Sequence, residues 1–546
     1  MPGARTAPTT PPPARSRVHP GVFWPSVVLI GAFVLFAVVA PTTAESAIGA
    51  VQDSIVGSLG WYYTLLVAAF IAFALWVGLG RAGDITLGRD GEEPEFGLRS
   101  WFAMLFSAGM GIGLVFWGVA EPLNHYAAPK PGVTGDEVQL AQQAINQTYV
   151  HWGLHAWAIY VVVGLGVAYA VHRRGRPVSI RWALEPLLGR RVQGRLGDAV
   201  DTAAVVGTVF GVATSLGLGV IQIGAGLDFL GLAESSTTVQ VVAIAVITAL
   251  ATLSVVSGVG RGIKWLSNAN IGLAAALLVF VLVAGPTLFL LREFVQSIGY
   301  YLQDVLRLTF DVTAFQGEAG EAWQASWATF YWGWWISWSP FVGVFIARIS
   351  RGRTVREFVG GVLLVPTLVT FLWFAVLGGT ALHRELFGGG GLVGEDGSVD
   401  TESALFGLLD GLPGGPVVVG MTILLVVTFF VTSSDSGSLV VGMLTAGGDP
   451  EPPTWLRVLW SCLQGLVAAA LLLAGGLVAL QTASIVVALP FSLVMVGIAV
   501  ALVRALRAEH RARLRREDEA LRNHVAATVA TSLGTAEANG ERRAAH

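Results

Sequence analysis

The 546-residue sequence contains little charge and a single cysteine. One cysteine, Cys462, cannot form a disulfide within the chain and cannot build a metal site from cysteine ligands. Only 13% of the residues are charged, 54% are hydrophobic, and the mean hydropathy is +0.67. This composition excludes an ordinary soluble globular protein and indicates a polytopic membrane protein. The net charge of −3 gives no reason to expect a nucleic-acid partner.

Apolar stretches of about 20 residues, the length that crosses a bilayer as a helix, recur along the whole chain. They predict an all-α polytopic membrane protein with twelve transmembrane helices. A signal peptide is the alternative for the first stretch, but its apolar run is longer than a typical signal and many spans follow. The predicted spans lie near residues 22–41, 60–80, 99–121, 145–170, 200–230, 237–258, 265–291, 324–347, 356–380, 415–445, 455–479 and 482–504.

The positions of the basic residues predict the orientation. If the N-terminus is cytoplasmic, 29 of the 33 basic residues lie on the inner side, and the outer loops hold only Lys130, Arg292, Arg307 and Arg384. This asymmetry follows the positive-inside rule. We therefore expect a multi-pass protein of the cell inner (plasma) membrane with both termini in the cytoplasm.

The spans divide the chain into six predicted regions. The external segment contains REFVQSIGYYLQDVLRLTF, whose helical apolar spacing predicts a surface-lying amphipathic helix, whereas the Gly-rich and acidic segment 383–414 is expected to be coil. The basic C-terminal stretch is either a solvated tail or a sensor that touches anionic lipid. The regions are a disordered N-terminus (1–20), two peripheral helices (21–97), a first repeat (98–291), the external helix (292–323), a second repeat (324–505) and the basic tail (506–546).

Two spans are expected to depart from regular helix. Span 3 reads SAGMGIGLVFWGVAEP, and its alternating glycines either pack helices or weaken the helix, each costing roughly 1 kcal/mol relative to Ala. In span 8, Ser339-Pro340 makes Pro340 a candidate for a break, because proline lacks a donor and disfavours helix before it. Span 8 follows five spans after span 3, which suits two inverted repeats of five helices, and paired interrupted helices typically mark a transporter site.

Span 10 contains the hydroxyl-rich stretch TFFVTSSDSGS. Such hydroxyls either bond back to the preceding turn or, together with freed carbonyls, form a site for a small hard cation such as Na⁺. Asp435 in this stretch is a functional candidate as an intramembrane acid, and a structural hydrogen-bonding role is equally consistent with its position.

Aromatic residues are concentrated on two spans. Span 4 (HWGLHAWAIY), taken as a continuous helix, places Trp152, Trp157 and Tyr160 on one side, and span 8 (FYWGWWISWSPF) places three tryptophans on one arc, with Trp332 beside it. Either these rings fill the core, or they form a cage for a quaternary ammonium, which cannot donate hydrogen bonds and is attracted by about 2 kcal/mol or more when desolvated. No cage position is acidic, which suits a zwitterion.

His151 and His155 are spaced as a metal pair, but no third ligand has matching spacing, so no zinc site is expected. No nucleophile lies beside a base within a recognisable motif, so the chain is not expected to be an enzyme.

These stretches resemble the betaine/carnitine/choline transporters from about residue 20 to 505. The resemblance implies a sodium-symporter-type core, an inverted five-helix repeat formed by spans 3–12, with spans 1 and 2 peripheral and often a homotrimer. The matching stretches are AGMGIGLVFWGVAEPLNHY at 108–126, HWGLHAWAIY at 151–160, SLGLGVIQIGAGL at 215–227, YWGWWISWSPFVGVFIARISRGRTVREF at 331–358 and FFVTSSDSGS at 429–438.

The resemblance also implies the site residues, with Na⁺ as the coupling ion and no other cofactor. The substrate residues are Trp152, Trp157, Tyr160, Trp334, Trp335, Trp338, Gly109, Met110, Gly111 and Gly113. The sodium site is formed by Ser107, Met110, Phe429, Thr432 and Ser433. A second sodium site known in the family matches here at Thr208 and Phe341, but its other threonine position is Val212, and Thr214 is not on the same helical face.

The implied function is Na⁺-coupled uptake of glycine betaine or a related zwitterionic or cationic quaternary-ammonium solute. Choline-transporting relatives tend to carry an acid at the position of Gly113, so glycine favours a zwitterion. The basic tail looks like that of osmotically regulated members, which favours contact with anionic membrane lipid. The alternatives are a proton-driven or exchange carrier of choline, carnitine or ectoine and, in another class, a solute-binding membrane sensor.

Overall fold

The chain folds into α-helices throughout the part that the structure, a computed structural model, describes. The backbone is described for residues 18–109, 111–257 and 260–544, and within them the side chains of 106–109, 257, 260–265, 530 and 532–544 are not. In these ranges the β-structure consists of two isolated bridges. The α-helices are α1 (Pro20–Val39), α2 (Pro41–Leu79), α3 (Leu98–Gly109), α4 (Ile112–Ala127), α5 (Glu137–Trp152), α6 (Leu154–Ala168), α7 (Glu185–Leu188), α8 (Arg195–Phe229), α9 (Thr237–Ser257), α10 (Gly260–Ala284), α11 (Thr287–Phe310), α12 (Gly317–Ser326), α13 (Ala328–Ile349), α14 (Val355–Phe387), α15 (Ala404–Asp410), α16 (Gly415–Thr445) and α17 (Thr454–Ala544).

Nine helices of the described residues are long and apolar enough to cross a membrane. The all-helical membrane architecture is therefore confirmed, while a total of twelve spans stays a prediction. The nine segments are Pro20–Val39, Pro41–Leu79, Glu137–Arg173, Arg195–Phe229, Thr237–Val256, Leu266–Ala284, Val355–Phe387, Gly415–Thr445 and Thr454–Val529.

Three differences explain why nine candidate spans are found in the described residues while the sequence predicts twelve. The interrupted pair α3–α4 and the helix α13 are not among the nine, and α17 counts once although its backbone leaves the helical conformation at two glycines. Gly475 has φ 152° and Gly476 has φ 60°, a region where glycine alone is free of strain. The kink lies near the end of predicted span 11 (455–479), and predicted span 12 (482–504) follows it.

The third predicted span is interrupted as the glycines suggested. Helix α3 ends at Gly109, and α4 begins at Ile112 after Gly111, whose backbone is extended (φ −162°, ψ −175°). Met110, between them, lies outside the described residues. An interruption at this depth leaves unpaired carbonyls at the end of α3 and unpaired N–H groups at the start of α4.

The fourth predicted span is interrupted as well, which the sequence analysis missed. Helix α5 ends at Trp152 and α6 begins at Leu154, with Gly153 at φ −91° and ψ −135°. The Trp152 carbonyl oxygen instead accepts a hydrogen bond from Thr370 Oγ1 at 3.2 Å. Treating 151–160 as one continuous helix was therefore wrong.

The expected break at Pro340 is also wrong, because α13 runs without interruption from Ala328 to Ile349. Proline at 340 cannot donate to the carbonyl four residues earlier, that of Ile336. The hydroxyl of Ser339 donates to this carbonyl oxygen at 2.7 Å. The residue that precedes the proline thus supplies the missing donor, and the helix continues.

The segments outside the spans are more helical than expected. The external segment contains α11, which begins before residue 292 and buries only one face, and α12. The segment 383–414 was expected to be coil, but α14 extends into it and α15 lies within it. The basic tail continues α17 as an exposed helix.

Helix α13 lies at the centre of the packing and contacts α6, α8 and α17, while α4 packs against α5 and α14. Glycine allows α8 to approach α13 closely: a Cβ atom on Gly211 would lie 3.0 Å from the backbone nitrogen of Trp338. Close packing of α4, α5, α6, α8 and α13 encloses the site described next.

Candidate functional site

The six aromatic residues predicted to form a cage line one cavity in the structure. They come from α5, α6 and α13, and all except Trp338 are buried. Ser215, Thr370 and the predicted sodium-site residue Ser433 also line the cavity, and none of the three was among the predicted substrate residues. The six cage residues are Trp152, Trp157, Tyr160, Trp334, Trp335 and Trp338.

Three cage indoles are fixed by hydrogen bonds that their N–H groups donate. Trp335 Nε1 donates to the backbone oxygen of His151 at 2.9 Å, and Trp334 Nε1 donates to Ser215 Oγ at 3.3 Å. Trp152 Nε1 donates to a carboxylate oxygen of Glu121 at 2.6 Å. Buried indole N–H groups need such partners, so these bonds hold the rings in place.

The ring centroids of Tyr160, Trp335 and Trp338 form a triangle with sides of 6.3, 6.4 and 6.5 Å. A cation above this triangle would lie within the ~6 Å that cation–π attraction needs from each centroid. The Tyr160 hydroxyl and Trp338 Nε1 are buried without a hydrogen-bond partner in the described part of the chain. Buried polar atoms without partners are rare, so this corner of the cavity offers two free donors.

The interrupted third span forms another wall of the cavity through Gly111 and Gly113. A Cβ atom on Gly113 would come within 3.2 Å of Trp152 Cη2. Gly109 is the last residue of α3, and of the predicted substrate residues Met110 alone lies outside the described ranges. The N-terminus of α4 lies beside this wall, and a helix N-terminus carries the positive end of the helix dipole.

A buried carboxylate stands behind the cage. Glu121 is fully buried and bonded to His151 Nδ1 at 2.6 Å, to the Trp152 indole and to the Tyr331 hydroxyl. Glu121 was not among the predicted site residues, although an acid inside span 3 is a functional candidate by default. The sequence offered that signal, but the partners lie 30 to 210 positions away.

The two histidines of the predicted pair have different surroundings, and His151 belongs to another group of potential ligands. Ligand atoms of Glu121, His125 and His151 lie within 4.8 Å of one another, whereas His155 Nε2 hydrogen-bonds to Thr309 Oγ1 at 2.8 Å. A metal bound to His151 and Glu121 at the usual 2.0–2.2 Å would hold their atoms roughly 3 Å apart. The 2.6 Å separation is that of a hydrogen bond, so the cluster as it stands is a hydrogen-bond network.

The described sodium-site residues lie on α16 and face a second cavity beside the cage. This inner cavity is lined by Phe429, Thr432 and Ser433 together with residues of α3, α10 and α13, and Ser433 and Trp338 line both cavities. The Thr432 hydroxyl lies 3.1 Å from the backbone oxygen of Phe429. The other two predicted sodium-site residues are Ser107, whose side chain is not described, and Met110, which lies outside the described residues.

Asn270 on α10 is a polar neighbour that the sequence analysis missed. Its Nδ2 donates to Thr432 Oγ1 at 2.9 Å, and its buried Oδ1 has no hydrogen-bond partner among the described residues. A buried amide oxygen without a partner, next to a hydroxyl, is the kind of ligand that Na⁺ would take.

The two residues that match the second predicted ion site, Thr208 and Phe341, lie in different surroundings. Thr208 is buried and its hydroxyl has no hydrogen-bond partner in the described ranges, while Phe341 lines the inner cavity. Thr214 does not compensate for Val212, because its hydroxyl bonds to Ser484 Oγ on α17 at 2.9 Å.

Asp435 has a structural partner. Its Oδ1 accepts a hydrogen bond from Arg457 on α17 at 2.8 Å, and the acid is 3% exposed. Of the two roles left open for this residue, the structure shows the structural one.

Comparison with known proteins shows the family. The profile of the BCCT family, the betaine/carnitine/choline family transporters, matches residues 21–511. An uncharacterized transporter of Mycobacterium tuberculosis is 55% identical over 494 residues, covering 89% of this chain and 82% of that protein. The glycine betaine transporter OpuD of Bacillus subtilis is 46% identical over 490 residues (90% and 95%). The osmo-dependent choline transporter BetT2 of Acinetobacter baylyi is 40% identical over 498 residues (91% and 72%).

Among solved structures, a manganese transporter of Eremococcus coleocola covers 74% of this chain and 81% of its own, with 15% identity and a TM-score of 0.36. That likeness is too low to assign a fold. The family match spans nearly the whole chain, and the relatives are named as transporters. The chain therefore belongs to the betaine/carnitine/choline transporter family and is a multi-span membrane transporter, not an enzyme.

Proposed function

We propose that this protein is a Na⁺-coupled symporter that imports glycine betaine or a closely related quaternary-ammonium solute. The observation that carries the proposal is the cavity lined by six aromatic side chains from three helices. Aromatic faces attract a trimethylammonium group, which offers no hydrogen-bond donor of its own. The relatives named for glycine betaine and choline transport support this substrate class.

The carboxylate of a zwitterionic substrate would lie at the N-terminus of α4. The extended backbone at Gly111 directs the chain into this helix, and a helix N-terminus offers N–H donors and a positive partial charge to an anion. The unpaired donors of Tyr160 and Trp338 lie on the cage side. The substrate would thus span from the aromatic triangle to the start of α4.

The coupling Na⁺ would bind between the end of α3 and the middle of α16. An α-helix leaves its last carbonyls without intrahelical partners, and α3 ends at Gly109. Thr432, Ser433 and the Phe429 carbonyl line the inner cavity on the opposite side. One ion is proposed rather than two, because Val212 offers no oxygen where the second site would need one.

Uptake into proteoliposomes tests the proposal. Radiolabelled glycine betaine should accumulate when Na⁺ is added outside, and the same vesicles with equal Na⁺ on both sides should only equilibrate. A K⁺ gradient of the same size is the matched control. Accumulation that is independent of Na⁺ would remove the symport part and favour a proton-driven or exchange carrier.

The 40% identical relative named as a choline transporter makes choline the first alternative substrate. Competition by choline, carnitine and ectoine against labelled glycine betaine ranks the four. A membrane sensor that only binds the solute is the alternative of another class. Counterflow of labelled glycine betaine into preloaded vesicles would not occur with such a sensor.

We further propose a membrane location, an oligomeric state and a lipid contact for this transporter. It would lie in the cell inner membrane with both termini in the cytoplasm, as the basic residues predict, and assemble as a homotrimer. The exposed basic part of α17 would contact anionic lipid and make transport respond to osmotic stress. Each Lys or Arg near an anionic surface contributes about 1 kcal/mol.

A further inference from the structure

Glu121 occupies a position behind the cage that is unusual for an acid within a membrane span. Its side chain is fully buried, and its two carboxylate oxygens receive bonds from three different helical residues outside α4. Two of the bonded residues, Trp152 and Tyr331, stack or pack against other cage rings: Trp152 lies 4.9 Å and Tyr331 5.7 Å from Trp335, between ring centroids.

The hydrogen bonds show which form of Glu121 the site holds. An indole N–H can only donate, so Glu121 Oε2 accepts from Trp152. The side-chain amide nitrogen of Gln147, Nε2, donates to His151 Nε2 at 3.0 Å. His151 therefore carries its proton on Nδ1 and donates it to Glu121 Oε1. With these three bonds, both oxygens of Glu121 act as acceptors, as the oxygens of an ionised carboxylate do.

No full positive charge cancels this carboxylate in the described surroundings. His151 is neutral in the tautomer above. His125 Nε2 lies 3.4 Å from Glu121 Oε1, but neither His125 ring nitrogen makes a hydrogen bond, as two donors of an imidazolium would. Lys130 pairs with Asp311 at 3.0 Å.

We propose that Glu121 supplies the counter-charge of the aromatic cage, acting through the Trp152 indole. This inference deepens the proposed function and rests on it. The carboxylate accepts a hydrogen bond from the N–H group at the edge of the Trp152 ring. Its negative charge polarises the indole, so the ring face toward the cavity becomes more negative. A buried negative charge also attracts a cation over a longer distance than it would in water, because the surrounding dielectric constant is low.

The counter-charge changes the expected substrate class. The absence of an acid among the cage residues suggested a zwitterion, but the acid lies one side chain further back. A cage with its own counter-charge binds the ammonium group independently of the carboxylate at the other end of the substrate. The site should therefore bind net cations as well as zwitterions.

Binding measured on the purified full-length protein tests this with two ligands of equal shape. The first is glycine betaine, and the second is 3,3-dimethylbutanoate, in which carbon replaces the ammonium nitrogen. In the wild type glycine betaine should bind more tightly than this isostere, which has the same carboxylate but no ammonium charge. In Glu121→Gln this preference should fall about tenfold, about 1.4 kcal/mol, with the affinity for the isostere unchanged. Glu121→Asp, which keeps the charge, should retain most of the preference.

Several results would overturn the inference. An equal loss of both ligands in Glu121→Gln would mean that the residue only shapes the cavity, and an unchanged preference would mean that its charge does not reach the cage. If that variant does not fold, tetramethylammonium binding to the wild type decides: binding supports the counter-charge, and no binding by a protein that binds glycine betaine contradicts it. Failure of the wild type to bind glycine betaine would instead contradict the proposed function.

Discussion

A Cβ atom on Gly113 would lie 2.5 Å from Cη2 of Trp334, closer than any real contact of that kind. Position 113 is therefore the point where α4 meets the cage, and glycine is there because the rings occupy the space of a side chain. An acidic side chain at this position could be accommodated only if Trp334 moved. Gly113 thus limits the shape of the cage as well as its charge.

Gly113→Ala should raise the KM for glycine betaine at least about fivefold, since overpacking a filled site costs roughly 1–3 kcal/mol. The matched control is Gly111→Ala, where the added Cβ would meet its nearest neighbour, Trp338 Cη2, at an ordinary 3.9 Å. Uptake kinetics in proteoliposomes should show a smaller change for the control. Equal effects of both variants would argue against the steric explanation.

Trp338→Leu should weaken glycine betaine binding by about 2 kcal/mol, roughly thirtyfold in Kd, because it removes one of the three rings of the triangle. Trp332→Leu is the control on the same helix, since Trp332 stacks on His155 at 5.2 Å and does not line the cavity. Binding can be followed by calorimetry. An unchanged Kd for Trp338→Leu would remove this residue from the cage.

Thr432→Val should raise the Na⁺ concentration for half-maximal uptake about tenfold, because the hydroxyl is lost while the shape is kept. Thr428→Val is the same change one turn earlier on α16, where the hydroxyl bonds back to the Leu424 carbonyl and does not line the inner cavity. That control should keep the wild-type Na⁺ dependence. If both variants behave alike, Na⁺ does not bind at Thr432.

Glu293 on the external helix α11 should make stability depend on pH. Burial raises its pKa to about 7 from an ordinary 4.5, partly offset by the hydrogen bond from Ser297. The folded state therefore keeps a proton that the unfolded state releases, so the free energy of unfolding falls as pH rises from about 4.5 to about 7. At 1.36 kcal/mol per pKa unit the fall amounts to about 3 kcal/mol.

Thermal unfolding of Glu293→Gln in detergent checks this prediction. The variant should lack this part of the fall in Tm between pH 4.5 and 7. Glu318→Gln, which changes an exposed acid on α12, should follow the wild type. A variant curve parallel to the wild type would show that another group is responsible.

Two truncations should separate the roles of the C-terminal helix. Cutting after Ala512 removes exposed basic residues but keeps Glu509, which accepts hydrogen bonds of 2.7 Å from both Arg173 Nε and the Tyr169 hydroxyl. This variant should transport at the basal rate and lose osmotic activation in anionic vesicles. Cutting after Arg507 should also lower Tm. Full osmotic activation after the first cut would contradict the lipid-sensor role of the tail.

Local patterns were sufficient for much of the architecture and for part of the site. Apolar runs predicted the membrane helices, and helical spacing predicted which aromatic residues share a face, although the continuous helix assumed across Gly153 does not exist. Pro340 shows the limit of a local rule. It removes one backbone hydrogen-bond donor from the helix, but the hydroxyl of the preceding Ser339 replaces that donor. The sequence contains both residues, and only the coordinates show them acting together.

By itself, the sequence determined an all-helical membrane protein with tryptophan concentrated on two spans and alternating glycines on the third. These properties follow from hydrophobicity and backbone preference, which act between near neighbours in the chain. Tertiary structure alone decided that Glu121 bonds to Trp152 and Tyr331, and that Thr432 lies beside Asn270. Those contacts join residues between 31 and 210 positions apart, and they exist only because particular helices pack against one another.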